Sequence, residues 1–299
     1  MPKSLISEIH LCKKCESYTL FPENGCLNCP SLKGFYTLDQ FVTRKYRLQF
    51  QNHLLLLFTL LVITAVSSLD LTVFLLTTFL GTLILIGYSM WKFSMRVSEK
   101  KLLLDDLVLT DQIKLTEGIN ENKRYAQKKI DIGHYQEAYE LLRKIGLYIH
   151  NNEIKELKLG CLNQFYLRKD MQLEMDSLLP EGFSPLFIQY LTEAIKVQRN
   201  LVNKNVLDYI IRYEEEIQEH FSYDVFITTA GAALRKKQYF IYYKDFIMKY
   251  IHGLPKERII RLCRILQTTN TPELDQVRDQ LHNLIQIKYA GEKEMAALL

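Results

Sequence analysis

Four cysteines near the start of the chain have the types and spacing for metal chemistry. They form two Cys-x-x-Cys pairs with ten residues between the pairs: Cys12, Cys15, Cys26 and Cys29. Two thiolate pairs presented from two turns are the usual way to build a tetrahedral site with four sulfur ligands. Because thiolates fill every position, such a site leaves no place for water or substrate. The spacing therefore predicts a structural Zn2+ site.

Two other uses of the same cysteines stay open. An iron–sulfur cluster takes the same ligand type. A redox dithiol also uses a Cys-x-x-Cys pair, but normally within a βαβ domain, and the sequence shows no such pattern. His10 could replace a ligand, although it is not needed. Lys13 and Lys14 could offset the thiolate charge or contact phosphate, and the first use is favoured.

The cysteine module is predicted to span residues 1–36. Asn24 and Gly25 favour a tight turn before the second pair. A module this small would depend on its metal to fold. It resembles the minimal zinc ribbons found at the N-terminus of many membrane-anchored and regulatory proteins. That resemblance implies structural zinc and identifies no single family.

Two uniformly apolar stretches follow the module. They cover residues 53–69 and 71–91, and neither contains Lys, Arg or Glu. Since a helix needs about 17 residues to cross the hydrocarbon core, the sequence predicts a transmembrane hairpin over 53–91 that turns near Ser68 and Asp70. A buried hairpin of a soluble protein and a shallow re-entrant hairpin are the alternatives.

Positive residues flank this hairpin on both outer sides, and its turn has none. They are Arg44, Lys45, Arg47, Lys92, Arg96, Lys100 and Lys101. The positive-inside rule therefore predicts a two-pass integral membrane protein with both termini in the cytoplasm. Thiols stay reduced in that compartment, so structural disulfides are disfavoured.

A basic and aromatic segment, residues 37–52, joins the module to the first apolar stretch. Thr37 and Gln40 have the spacing of a capping box, which predicts a juxtamembrane helix. This helix could lie on anionic lipid. The favoured interpretation is a plain extension that carries the topology charges.

Residues 97–292 show helical periodicity, and Gly (12) and Pro (7) are scarce, so the fold class is predicted to be mainly α. Residues 125–145 resemble a tetratricopeptide repeat across its central turn. Small Ala126 and Ala138 lie on the facing helices, and Gly133 lies between them. The resemblance implies an α-solenoid in the cytoplasm.

A related pattern starts at Ala230, about three repeat lengths of about 34 residues further on. Looser helix pairs are predicted over 153–179, 185–220 and 255–290, the last with a helix start at Thr271. A compact, non-repeating helical bundle is the alternative. Stacked helix pairs present an extended concave surface, which implies a protein partner.

No catalytic pattern is found in the sequence. The seven histidines form no metal pair, and the phosphate-loop and nucleophile-elbow motifs do not occur. The chain is therefore predicted not to be an enzyme, and no small-molecule substrate is evident. Glu214 to Glu216 are interpreted as a solvated helix face. Cys161 and Cys263 stand alone in apolar helical patterns and are predicted to be buried thiols.

Residues 235–251 are rich in lysine and aromatic side chains. Such a segment could stack bases or rest on a membrane. At helical spacing, however, four rings fall on one face, so we expect an inner core stripe with the lysines outside. The four are Phe240, Tyr243, Phe246 and Tyr250.

The sequence thus predicts a membrane-anchored cytoplasmic adaptor or regulator that recruits a protein partner at the lipid bilayer. A second hypothesis is a membrane-tethered nucleic-acid-binding protein that uses Lys13, Lys14 and Lys33. The net charge of +4 disfavours it, because affinity for nucleic acid depends on neutralising phosphates. A third is an accessory subunit of a membrane enzyme complex.

Overall fold

The structure is a computed structural model that describes residues 8–30, 34–67, 70–269, 272–289 and 295. Lys33, Ser68 and Thr271 lie outside the described residues. The mainly α fold class is confirmed, with thirteen α-helices and a small sheet in the described part. The chain divides into two compact units: Met1–Ile132 with Arg143–Tyr148, and Gly133–Leu142 with Ile149–Leu299.

The first unit begins with a small antiparallel sheet of three short strands. The central strand β1 (His10–Cys12) pairs with both β2 (Tyr18–Thr19) and β3 (Phe35–Thr37). Leu11 in the central strand is buried. The sheet therefore holds the first cysteine at the end of its middle strand.

Two long helices follow the sheet, α1 (Leu38–Val66) and α2 (Leu71–Thr110). The expected capping box is present, since the Gln40 N–H donates to Thr37 Oγ1 and the Thr37 N–H donates to Gln40 Oε1, each over 3.2 Å. The juxtamembrane segment and the first apolar stretch form one continuous helix. Helix α2 likewise runs past residue 97, where the helical domain was predicted to begin.

Helices α1 and α2 pack against each other as a hairpin. Both are long and apolar enough to cross a membrane, and their most apolar stretches are almost entirely exposed. Gly81 allows close approach, because a Cβ there would lie 2.4 Å from Leu61 Cδ1. Nearer the outer ends, the Tyr46 hydroxyl donates to the Lys92 carbonyl over 3.0 Å.

Helix α3 (Gln112–Asp131) completes the helices that lie wholly in the first unit, and α4 (Tyr135–Ile145) passes from the second unit into the first. The helices of the second unit are α5 (Asn152–Leu162), α6 (Pro185–Val197), α7 (Lys204–Arg212), α8 (Glu214–His220), α9 (Asp224–Ala233), α10 (Lys237–Tyr242), α11 (Lys244–Lys249), α12 (Lys256–Gln267) and α13 (Asp275–Lys288). Helix α6 packs against α5 and α9, and α9 also packs against α7 and α11.

The small residues of the repeat-like segment are buried as expected. Ala126, Ala138 and Ala230 have no exposed surface. Gly133 has a φ of +80°, a left-handed conformation that favours glycine, in the turn before α4. The assignment of these helices to tetratricopeptide-like repeats stays a prediction.

The aromatic stripe of residues 235–251 is confirmed at three positions and partly at the fourth. Phe240, Phe246 and Tyr250 are buried, and Tyr243 is half-buried. The Tyr243 hydroxyl donates to Asp208 Oδ1 over 2.6 Å. The rings belong to the core of the second unit, so they are not available for stacking bases.

The helix pair predicted over 153–179 is wrong in its second half. Helix α5 ends at Leu162, and the rest of that span contains only a short 3-10 turn at Asp176–Leu178. A side chain of α6 and the side chain of the residue after it donate hydrogen bonds to backbone carbonyls of residues 169–174. A helix would use these carbonyls for its own hydrogen bonds. Gln198 Nε2 donates to the Lys169 and Met171 carbonyls, and the Tyr190 hydroxyl donates to the Glu174 carbonyl.

Glu174 in this irregular segment forms an ion pair with the buried side chain of Lys158. Lys158 Nζ lies 2.7 Å from Glu174 Oε2, and only 6% of the lysine side chain is exposed. Tyr139 donates to the other carboxylate oxygen over 3.4 Å. The segment is thus fixed to α4 and α5 through one carboxylate.

Replacing Glu174 with alanine should lower the free energy of unfolding of the second unit by about 3 kcal/mol, because it leaves a buried ammonium group unpaired. Denaturant unfolding of the purified protein measures this. Glu193 is the matched control, since its pair with Lys196 is exposed on one helix face. Glu193→Ala should cost less than about 0.5 kcal/mol, and an equal loss in both variants would contradict the prediction.

Candidate metal centre

The first cysteine pair lies on a tight turn that follows β1. The Cys12 N–H donates to the Ser17 carbonyl over 2.9 Å, and the Glu16 N–H donates to the Cys12 carbonyl over 3.1 Å. Glu16 takes a left-handed conformation with a φ of +56°. The turn therefore brings Cys15 back beside Cys12.

The second pair lies on a turn built by the residues predicted for it. A 3-10 turn covers Pro22–Asn24, and the Gly25 N–H donates to the Pro22 carbonyl over 3.3 Å. Gly25 has a φ of +79°, so a side chain at this position would be strained. The chain then reverses and presents Cys26 and Cys29 to the first pair.

All four predicted cysteines come together. The sulfur atoms of Cys12 and Cys29 are 3.7 Å apart, and those of Cys15 and Cys26 are 3.4 Å apart. All four sulfurs lie within 4.8 Å of one another. A tetrahedral ion with metal–sulfur bonds of about 2.3 Å needs sulfurs about 3.8 Å apart. The cluster could therefore hold a metal ion.

The surroundings of Cys26 favour its thiolate form. Burial raises the pKa of the Cys26 thiol, but hydrogen bonds from Ser17, the Asn28 and Cys29 backbone and Cys15 outweigh it and lower the pKa to about 6. Ser17 Oγ lies 3.0 Å from Cys15 Sγ and 3.2 Å from Cys26 Sγ. A thiolate is the species that binds metal.

The two solitary cysteines behave differently. Cys161 and Cys263 are buried, as predicted. Burial raises the pKa of the Cys161 thiol to about 11, and it also raises that of Cys263. Both therefore stay as neutral thiols in the helical core.

The neighbours of the cluster have contacts of their own. His10 Nδ1 lies 2.9 Å from the Glu8 carbonyl oxygen, and the histidine is not part of the metal-type cluster. The Lys13 ammonium lies 4.3 Å from the centroid of the Tyr36 ring, a cation–π contact. That contact engages one of the lysines considered for phosphate binding.

The module is fixed to helix α3 by contacts that the sequence did not reveal. The Tyr18 hydroxyl donates to Asp111 Oδ2 over 2.7 Å, and Thr19 Oγ1 donates to Asn122 Oδ1 over 3.0 Å. Burial and the bond to Asp111 raise the pKa of Tyr18. Gly118 lets the backbones touch, since a Cβ there would lie 2.4 Å from the Tyr18 carbonyl oxygen. The only local signal was a glycine and an asparagine one helical turn apart.

A second cluster of charges lies in the second unit, which we call the helical unit, around a cavity of about 570 Å3. Lys169, Arg199 and Arg235 supply its cationic lining, and the charge of a fourth lining residue, Lys196, is paired with Glu193. In the described part of the chain, no carboxylate oxygen lies within 4.0 Å of the Arg199 or Arg235 guanidinium. We refer to this cavity as the basic cleft.

Arg258 shows that positive charge is crowded near the basic cleft. Burial lowers the pKa of its guanidinium, and the charges of Arg199, Arg235 and Arg261 lower it further, against an opposing effect of Glu257. Like charges held together repel one another, and an anion placed among them relieves the repulsion. The arrangement therefore favours an acidic ligand.

Comparison with known proteins adds no relative to these observations. No protein-family model, curated protein or solved structure matches the chain. The resemblances to zinc ribbons and to tetratricopeptide repeats rest on the residues quoted for them.

Proposed function

We propose that this protein is a membrane-anchored adaptor that recruits an acidic segment of a partner protein to the cytoplasmic membrane surface. The basic cleft of the helical unit is the observation that carries the proposal. In this proposal the protein is not an enzyme. It acts by confining its partner to the membrane surface. A partner confined to the membrane has a higher effective concentration there.

The anchor is the hairpin of α1 and α2. Large apolar side chains along both helices are exposed, among them Ile63 (62%), Leu76 (67%) and Phe79 (66%). Apolar faces of this size on two adjacent helices are typical of contact with lipid rather than water. With positive residues at both outer ends, the cysteine module and the helical unit lie on the cytoplasmic side.

The cysteine cluster holds structural Zn2+ in this proposal. Four sulfur atoms within 4.8 Å of one another and a reducing compartment favour zinc and disfavour a disulfide. Because the four cysteines fill every coordination position, the ion has a structural role. It stabilises the small sheet that packs on α3.

The basic cleft recruits the partner through charge complementarity. Unpaired guanidinium groups bind carboxylates through two parallel hydrogen bonds. Arg199 and Arg235 line one cavity, so two carboxylates of one extended acidic segment can be bound together. Such contacts increase the rate of association and select against basic partners.

Charge reversal in the cleft tests this proposal. Arg199→Glu with Arg235→Glu should weaken binding of a fluorescein-labelled oligoglutamate peptide at least about tenfold, because attraction becomes repulsion. Fluorescence anisotropy with the purified full-length protein measures the affinity. An oligolysine peptide should not bind the unaltered protein.

The matched control makes the same charge change elsewhere in the helical unit. Lys204→Glu with Arg212→Glu alters two exposed residues of α7 that do not line the cleft. This variant should keep the affinity of the unaltered protein. If both double variants lose affinity equally, net charge explains the binding and the cleft does not.

Nucleic acid is the main alternative ligand, and the same assay distinguishes it. A labelled single-stranded oligonucleotide should bind more weakly than the peptide at equal salt. Tighter binding to the oligonucleotide, again lost in the Arg199→Glu and Arg235→Glu variant, would replace the adaptor proposal with the nucleic-acid one.

A further inference from the structure

We propose that the outer ends of α1 and α2 form a binding site for the phosphate headgroup of an anionic phospholipid, with Arg47 and Arg96 as its cationic residues. The site rests on the hairpin lying in a membrane, as proposed above. It differs from the basic cleft in location, ligand and surroundings.

The site is a cavity of about 500 Å3 lined by residues of both helices. Arg47 and Arg96 contribute guanidinium groups to one lining, while Thr43 and Gln51 contribute a hydroxyl and an amide group. Phosphate oxygens accept hydrogen bonds from all of these side-chain types. The polar part of the lining is therefore suited to one phosphate.

The two guanidinium groups are available for a ligand. In the described part of the chain, no carboxylate oxygen lies within 4.0 Å of Arg47 or Arg96. Three neighbouring cations are engaged. Lys92 Nζ lies 2.6 Å from Glu99 Oε1, and Lys100 donates to Thr43 over 2.8 Å. Arg44 donates to the Tyr36 hydroxyl. Arg47 and Arg96 line the cavity and keep their guanidinium groups free for an anion.

The remaining lining is aromatic, which favours a lipid over a free phosphate ion. The rings of Tyr46, Phe50 and Phe93 line the same cavity. It lies where the charged outer segments meet the apolar stretches of both helices, so a headgroup bound here would place its acyl chains beside exposed leucines. An inorganic ion gains nothing from these rings.

The cavity is held open by contacts between the two helices. Phe50 stacks on Tyr88 with ring centroids 6.2 Å apart, and the Tyr46 hydroxyl is bonded to the Lys92 carbonyl. A preformed site loses less entropy when its ligand binds. Both contacts fix the positions of the residues that line the site.

The only tryptophan of the chain, Trp91, gives a direct readout because it lies next in sequence to this region. We expect brominated phosphatidylglycerol to quench its fluorescence at a several-fold lower mole fraction than brominated phosphatidylcholine. The measurement uses full-length protein in neutral detergent micelles. Equal quenching by the two lipids would overturn the proposal.

Paired variants assign the preference to the cavity. Arg47→Gln with Arg96→Gln should remove the difference between the two lipids. Lys45→Gln with Lys101→Gln removes the same charge from the same two helices outside the cavity, and should retain the difference. If the control pair loses it as well, surface charge and not the cavity attracts the lipid. If the glutamine pair fails to fold, Arg47→Lys with Arg96→Lys takes its place. This variant keeps the charge and should retain part of the lipid preference.

Two further experiments complete the test. The first distinguishes a lipid headgroup from free phosphate, and the second distinguishes failure of the lipid site from failure of the membrane anchor. Millimolar inorganic phosphate should not reverse the quenching, and full reversal would assign the site to a free ion. Carbonate extraction of native membranes tests whether the hairpin is embedded. Release by carbonate together with a lipid preference in micelles would disprove the anchor alone, whereas retention without a preference would disprove the lipid site alone.

Discussion

Replacing Cys12 with serine is expected to abolish stoichiometric zinc binding and to unfold the cysteine module. Cys12 is buried at the end of β1, and its sulfur lies 3.7 Å from that of Cys29. A serine hydroxyl stays protonated and is a poor ligand for zinc. Structural zinc contributes about 10–16 kcal/mol in comparable small modules, far more than so small a sheet could supply.

Metal analysis and limited proteolysis of the purified protein measure the two effects. Lys13 and Lys14 lie in the first cysteine turn, so trypsin should cleave there faster in the variant. Cys263→Ser is the control, because this cysteine is buried in α12 and is not part of the cluster, and this variant should retain its zinc. Zinc content and protease resistance unchanged in Cys12→Ser would contradict a structural zinc site. Visible absorption and bound iron would identify an iron–sulfur cluster instead.

Replacing Gly118 with alanine should destabilise the first unit, although the same change usually stabilises a helix. In a helix interior, alanine is favoured over glycine by about 1 kcal/mol. Here the new Cβ would lie 2.4 Å from the carbonyl oxygen of Tyr18 and 2.9 Å from its Cβ. Backbone cannot move aside as a flexible side chain can, so we expect a net loss of about 1–3 kcal/mol from overpacking.

Gly160 supplies the matched control for this substitution. It also lies inside a helix, α5, and a Cβ built there meets nothing within 4 Å. Gly160→Ala should therefore raise the free energy of unfolding by up to about 1 kcal/mol. Denaturant unfolding at saturating zinc compares the two variants. A gain in stability for Gly118→Ala would show that the module does not pack on α3 as described.

The order of residues was enough to predict the features that depend on near neighbours. Cysteines spaced two residues apart, a glycine after an asparagine, and the capping pair of Thr37 and Gln40 each act within one turn of chain. Uniformly apolar stretches likewise predict long helices without reference to the rest of the fold. These expectations agree with the sulfur cluster, the Gly25 turn and the start of α1.

Tertiary structure decided the contacts between residues far apart in the chain. Thr19 and Asn122 are 103 residues apart, and no period in the sequence links them. The basic cleft gathers Lys169, Arg199 and Arg235 from three separate segments. Residues 163–179 belong to a predicted helix pair, yet Gln198 and Tyr190 donate hydrogen bonds to the carbonyls that a helix would need. The spacing of residues predicts hydrogen bonds between near neighbours. The packing of the cysteine module on α3 and the gathering of cations in the basic cleft depend instead on which surfaces meet after folding.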